Sequence, residues 1–182
     1  MQQFRIGRIV GTAMLAVGAL ATTGCLGDSS PTDVDITDEH VFAVGVRISQ
    51  QLYNVALLAE DSENADILVL ADSIAARQEA QFDAFFELGM TARESDLSQY
   101  ILGQTNQLRN YLSAMTGEEF DRNFIDALIT LHEDAIGYID DDLLPIVVDA
   151  DLEAELYELR GILTADLISA QVIQVEIGPP TT

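Results

Sequence analysis

Apolar residues in this chain recur three or four apart in segment after segment, and no stretch alternates apolar and polar residues as a half-buried strand does. That period commits the chain to helices with one buried face. Val41, Val44, Ile48, Leu52, Val55 and Ala59 form the first stripe, capped by Thr37, with Asp38 and Glu39 at the positive end of the helix dipole. After the polar break Asp61-Ser62-Glu63-Asn64, a second stripe runs through Ile67, Leu70, Ile74, Gln78, Phe82 and Phe85 and stops at Gly89. A third helix spans about Glu94 to Met115 on Leu97, Ile101, Leu108, Leu112 and Met115, with Gln104 and Thr105 interrupting that face.

Thr116 and Glu119 have capping-box spacing and open the strongest stripe: Phe120, Phe124, Leu128, His132, Ile136, Ile139 and Leu143, with a turn at Pro145. The last helix carries Leu152, Leu156, Leu159, Leu163, Leu167 and Ala170 and ends before Gly178-Pro179-Pro180. Five amphipathic helices with short connections predict an all-α domain over residues 37–176 with a C-terminal tail at 177–182. The expected architecture is an antiparallel bundle, four helices forming the core and one packing across.

The N-terminus reads as a targeting segment. Arg5 and Arg8 precede an apolar or small run from Ile9 to Ala21, too short to anchor in a bilayer, so residues 1–24 are expected to be an export signal. Cys25, the only cysteine, follows Thr22-Thr23-Gly24 and resembles the lipid-modified cysteine of a bacterial lipoprotein. Thr22 stands where such signals usually have Leu, and Ala19-Leu20-Ala21 offers an ordinary cut after Ala21, which would leave a soluble exported chain. Residues 25–36 read as an acidic flexible tether, and Leu26 permits outer-membrane sorting. The expected place is the cell envelope, at the periplasmic face or the outer membrane, held through lipid at Cys25. A lone cysteine allows no disulfide within the chain, so stability must come from the core.

Charge narrows the partners. The chain has 31 acids and 8 Arg, with no Lys, and losing Arg5 and Arg8 with the signal leaves a net −25. Phosphate binding needs clustered cations, so nucleic acid is not an expected partner. Acids interspersed with apolar residues make a solvated acidic surface, with loose cation binding as the functional alternative. Asp140-Asp141-Asp142 opposes the dipole at the end of the fourth helix, but it lacks the spaced ligands and Gly of a calcium loop.

Several runs occur in combination: Ile36-Thr37-Asp38, Ala56-Leu57-Leu58-Ala59, Leu70-Ala71-Asp72-Ser73-Ile74, the stretch from Met115 through Gly117, Phe120, Asp121 and Arg122 to Ile125, then Leu131-His132-Glu133 and Leu143-Leu144-Pro145. Together they resemble the exported bacterial family catalogued as domain of unknown function 4142, over roughly Ile36 to Val175. The resemblance implies a ferritin-like four-helix bundle with an additional helix, and no established activity. A related family of paired-His copper proteins shares Phe-Asp-Arg, but this chain has His132-Glu133 where that family has two His. Two positions that commonly hold His in the first family are Arg77 and Asp166 here, and only His132 is retained.

A di-iron bundle needs Glu-x-x-His pairs, and neither His40 nor His132 has Glu three residues before it. His40 falls in a first helical turn and is expected to be exposed. His132 lies on an apolar stripe, where one hydrogen bond would satisfy it. The sharper expectation is a buried polar cluster of Arg77, His132 and Asp166, an ion pair taking the place of two imidazoles. No Gly-x-Ser-x-Gly elbow or phosphate loop is present. The sequence therefore reads as a non-enzymatic envelope lipoprotein without cofactor or metal, a structural or interaction module. The alternative is a copper- or iron-binding protein using His132 with nearby carboxylates.

Overall fold

The computed structural model describes residues 36–180. The expected export signal, Cys25 and nearly all of the tether lie outside the described residues. Within them every regular element is helical: α1 (Asp38–Ala56) with a 3-10 turn (Leu57–Asp61), α2 (Ala65–Glu87), α3 (Asp96–Leu112), α4 (Gly117–Gly137) continued by a π turn (Tyr138–Leu143), and α5 (Ala150–Ile177).

The helix ends follow local chemistry. At the start of α1 the Thr37 amide donates to His40 Nδ1 at 3.1 Å, which pins His40 into the surface at 5 % exposure. The expectation of an exposed His40 is corrected: an imidazole three residues into a helix can turn back onto the cap. Asn64 caps α2 by accepting from the Asp66 and Ile67 amides, and Asp149 caps α5 by accepting from Asp151 and Leu152. Thr116 sits at the cap position of α4 without a side-chain cap bond. Gly117 follows it at φ +58°, so the chain enters α4 through a left-handed residue and the expected box with Glu119 does not close. Gly89 at φ +66° ends α2 as anticipated.

Side-chain pairs between helices give their directions. Arg47 reaches Glu94 just ahead of α3, and Gln51 Nε2 donates to the Ile101 carbonyl at 3.2 Å, so α1 and α3 run the same way. Arg77–Asp166 and Gln81–Glu155 make α2 and α5 antiparallel, as Gln174–Asp126 and Arg160–Asp140 do for α4 and α5. The chain turns back between α1 and α2, so Gly45 near the start of α1 lies against the Phe85 ring near the end of α2, beside the Leu156 side chain. α1 is therefore central, packed against α2 and α3 and also touching α4 and α5.

That position explains its composition. Asp38–Asp61 is the one described helical stretch long and apolar enough to cross a membrane, yet 61 % of its most apolar window is buried inside the fold. A helix with neighbours on several sides is apolar around most of its girth. The predicted stripes lie inward. Val41, Ile48, Leu52, Ile67, Ile74, Phe85, Ile101, Phe124, Leu128, Leu156 and Leu163 are all fully or almost fully buried. Phe82 is only half-buried, stacked edge-on with Phe86 outside the core. The third helix is shorter than expected at both ends: Ser95 caps its start and Ser113 its end, so it spans Asp96–Leu112.

Candidate functional site

Three helices bring together the residues singled out as a polar cluster. Arg77 on α2 donates through Nη2 to Asp166 Oδ1 on α5, and His132 Nε2 on α4 lies 3.9 Å from Asp166 Oδ2. The burial is uneven: Asp166 and His132 are at 0 % exposure, while the Arg77 side chain is 39 % exposed. Arg77 is thus a half-buried rim residue, correcting the expectation that all three lie inside. Its Nε is nonetheless buried without a hydrogen-bond partner.

The imidazole is fixed from one side. His132 Nδ1 lies 2.7 Å from the Leu128 carbonyl; a carbonyl only accepts, so Nδ1 carries the proton. Nε2 then faces Asp166 Oδ2 beyond hydrogen-bond range, and both atoms are buried without a partner. Gln78, one residue from Arg77, is also fully enclosed with both amide atoms unpartnered. It was visible in the sequence as the single polar member of the second stripe. The cluster can hold one negative charge inside a hydrocarbon core against a cation at its edge.

The other charged contacts lie outside this cluster. The Phe120-Asp121-Arg122 run ties the start of α4 to the α1–α2 connection: Phe120 stacks on Phe124, and Asp121 accepts from Ser62 Oγ at 2.6 Å. Ser62 in turn accepts from the Asn64 amide, while Arg122 pairs with Glu118. Arg160 grips Asp140 through two bonds of 2.6 and 2.8 Å, holding that carboxyl below its usual range. One member of the Asp140-Asp141-Asp142 run is thereby neutralised. The Ser98 hydroxyl and then Arg47 hold Glu94 low, while burial raises Asp134. Burial, reinforced by Asp134, pushes the Tyr138 hydroxyl up to about 12.

Two of the clefts formed by the described residues are lined mainly by polar side chains. One of about 200 Å³ between α1 and α3 is lined by Arg47, Gln50, Gln51, Asn54, Leu102 and Thr105. The other, about 300 Å³, is lined by Asn64, Glu118, Asp121, Arg122, Glu176 and Ile177. Among the described residues no three His, Cys, Asp or Glu side chains are grouped to hold a metal ion, and Asp166 is the one carboxylate paired with His132. No family model, curated protein or solved structure matches the chain.

Proposed function

We propose that this chain is an exported lipoprotein of the cell envelope, an acidic helical module that supports or binds another envelope component and performs no reaction of its own. The observation that carries the non-enzymatic reading is the fate of the core's ionisable groups. Asp166 and His132 are sealed at 0 % exposure and face Arg77 and the Leu128 carbonyl, so a substrate has no path to them. Neither cleft includes either residue.

The fold belongs to the same proposal. In this reading α1, α2, α5 and α4 make a ferritin-like four-helix core and α3 is the long crossover between α2 and α4; the packing of α1 on α2, α2 on α5 and α5 on α4 supports it. One such crossover is the arrangement of ferritin-like bundles, which agrees with descent from the domain of unknown function 4142 family. Export and anchoring rest on the basic start, the apolar run Ile9 to Ala21 and Cys25.

Intact mass of the protein extracted from membranes tests the anchor. The expected mass is that of residues 25–182 plus covalent acyl chains, and an unmodified chain starting at Thr22 overturns it. Elemental analysis of the same sample tests the module reading. Stoichiometric copper or iron that disappears in His132→Ala would overturn it in favour of a metal carrier.

A further inference from the structure

We infer that α3 is a strap that lifts from the rest of the fold as a cooperative unit of its own, while α1, α2, α4 and α5 stay packed. Burial is the first ground. α3 fully encloses two apolar side chains, Ile101 and Leu112, and its other buried residues are Ser98 and Thr105. By contrast α4 encloses Phe120, Phe124, Ile125, Leu128, Ile129, Leu131 and Ala135, and α5 encloses Leu152, Leu156, Leu159, Leu163, Ala170 and Ile173. Free energy of opening scales with apolar area returned to water, so α3 opens first.

The seam beneath α3 is the second ground. Its polar ties to α1 are few: the exposed Arg47–Glu94 pair, with side chains 26 % and 41 % exposed, the Arg93 amide on the Glu39 carbonyl at 3.0 Å, and one buried bond from Gln51 to the Ile101 carbonyl. Exposed ion pairs contribute little. At its other end Tyr111 donates to Asn123 at 2.8 Å on the surface.

Third, glycines at positive φ bracket the segment. Gly89 (φ +66°) and Gly117 (φ +58°) take backbone conformations that glycine adopts readily, so the segment between them begins and ends at the chain's most permissive residue type. The pairs α1–α2, α2–α5 and α4–α5 contain no residue of α3, so lifting it leaves them intact. Lifting widens the cleft lined on α1 by Arg47, Gln50, Gln51 and Asn54, a row that carries no carboxylate in a chain of 31 acids.

Native-state hydrogen exchange on the whole chain, followed at peptide resolution across a denaturant series, tests this. The amides of Ile101–Leu112 should exchange about 100-fold faster than those of Ile48–Val55 and Leu156–Leu163, with a shallower denaturant dependence. Glu94→Gln, which removes an exposed pair, should speed exchange in α3 and leave α1 and α5 at their original rates. Equal protection and equal denaturant slopes in α3 and α1 would overturn the inference, as would a uniform acceleration of all helices by Glu94→Gln.

Discussion

Removing Arg77 and removing Asp166 break the same ion pair, but the structure makes the two losses unequal. Asp166 is at 0 % exposure, so Arg77→Met leaves a carboxylate in the core without its cation. Stranding one member of a buried pair costs about 3–5 kcal/mol. The Arg77 side chain is 39 % exposed, so water can follow into part of the space it leaves, which places the loss near the low end, about 3 kcal/mol. Asp166→Asn strands Arg77 instead, and the guanidinium can swing outward and hydrate. What remains is a neutral buried amide with an imperfect partner, about 1 kcal/mol. In a domain of this size each kcal/mol moves Tm by about 2–4 °C, so the expected drops are about 6–12 °C for Arg77→Met and 2–4 °C for Asp166→Asn. The double variant should be more stable than Arg77→Met alone, because the stranded charge is gone. Urea and thermal unfolding at pH 7, followed by circular dichroism, measure all three. An Asp166→Asn loss equal to or larger than that of Arg77→Met would refute the reasoning, as would an Arg77→Met protein within 1 kcal/mol of the parent.

Other changes separate packing, capping and titration. Gly45→Ala would place a Cβ 2.8 Å from Phe85 Cζ, on a ring locked edge-on against Phe42, so an overpacking loss of about 1–3 kcal/mol is expected in urea unfolding. Asn64→Ala should cost about 1 kcal/mol of cap energy, whereas Thr116→Ala, which loses no cap bond, should leave the urea midpoint within error of the parent. In an alkaline absorbance titration one of the five tyrosines, Tyr138, should ionise near pH 12, and Tyr138→Phe should remove that late step. The sign follows from linkage: between pH 10 and about 12 the unfolded chain has released this proton and the folded chain has not, so Tyr138 lowers stability as pH rises through that window.

Helix positions were readable because a 3.6-residue period over 15 or more residues has few competing explanations, and His132 could be placed on its face for the same reason. The same period could not foresee where α4 changes pitch. The stripe steps from His132 through Ile136 and Ile139 to Leu143 by threes and fours, and only the 2.9 Å bond from the Leu144 amide to the Ile139 carbonyl reveals the wider turn. Nor could it tell the two apolar sides of α5 apart: Ile168, Val172 and Val175 point outward at 55 % exposure or more, although they are as apolar as the leucines facing in. Arg77 and Asp166 were suspected from flanking positions and a family resemblance. Their pairing depends on the register of α2 against α5, helices far apart in the chain, and no local pattern encodes that.

Register is also where the polar residues of α5 earn their place in a fold whose interior is mostly apolar. Its inward face repeats leucine at 152, 156, 159 and 163, and a leucine ladder packs almost as well after sliding one turn, about 5.4 Å. The hydrogen bonds do not tolerate that slide. Toward α2, Glu155 accepts from Gln81 at 3.0 Å and Asp166 from Arg77; toward α4, Arg160 grips Asp140, and Gln174 donates to Asp126 at 3.1 Å. Four contacts spread along one helix and directed to two neighbours break together if α5 moves by a turn. Of the four, only the bond to Asp166 carries its charge to 0 % exposure, where a mismatch cannot be relieved by water. The Arg77–Asp166 pair therefore does more to exclude wrong registers than to stabilise the right one. That assigns it an architectural role and leaves the outer surface and the α1–α3 cleft free for contacts with other molecules.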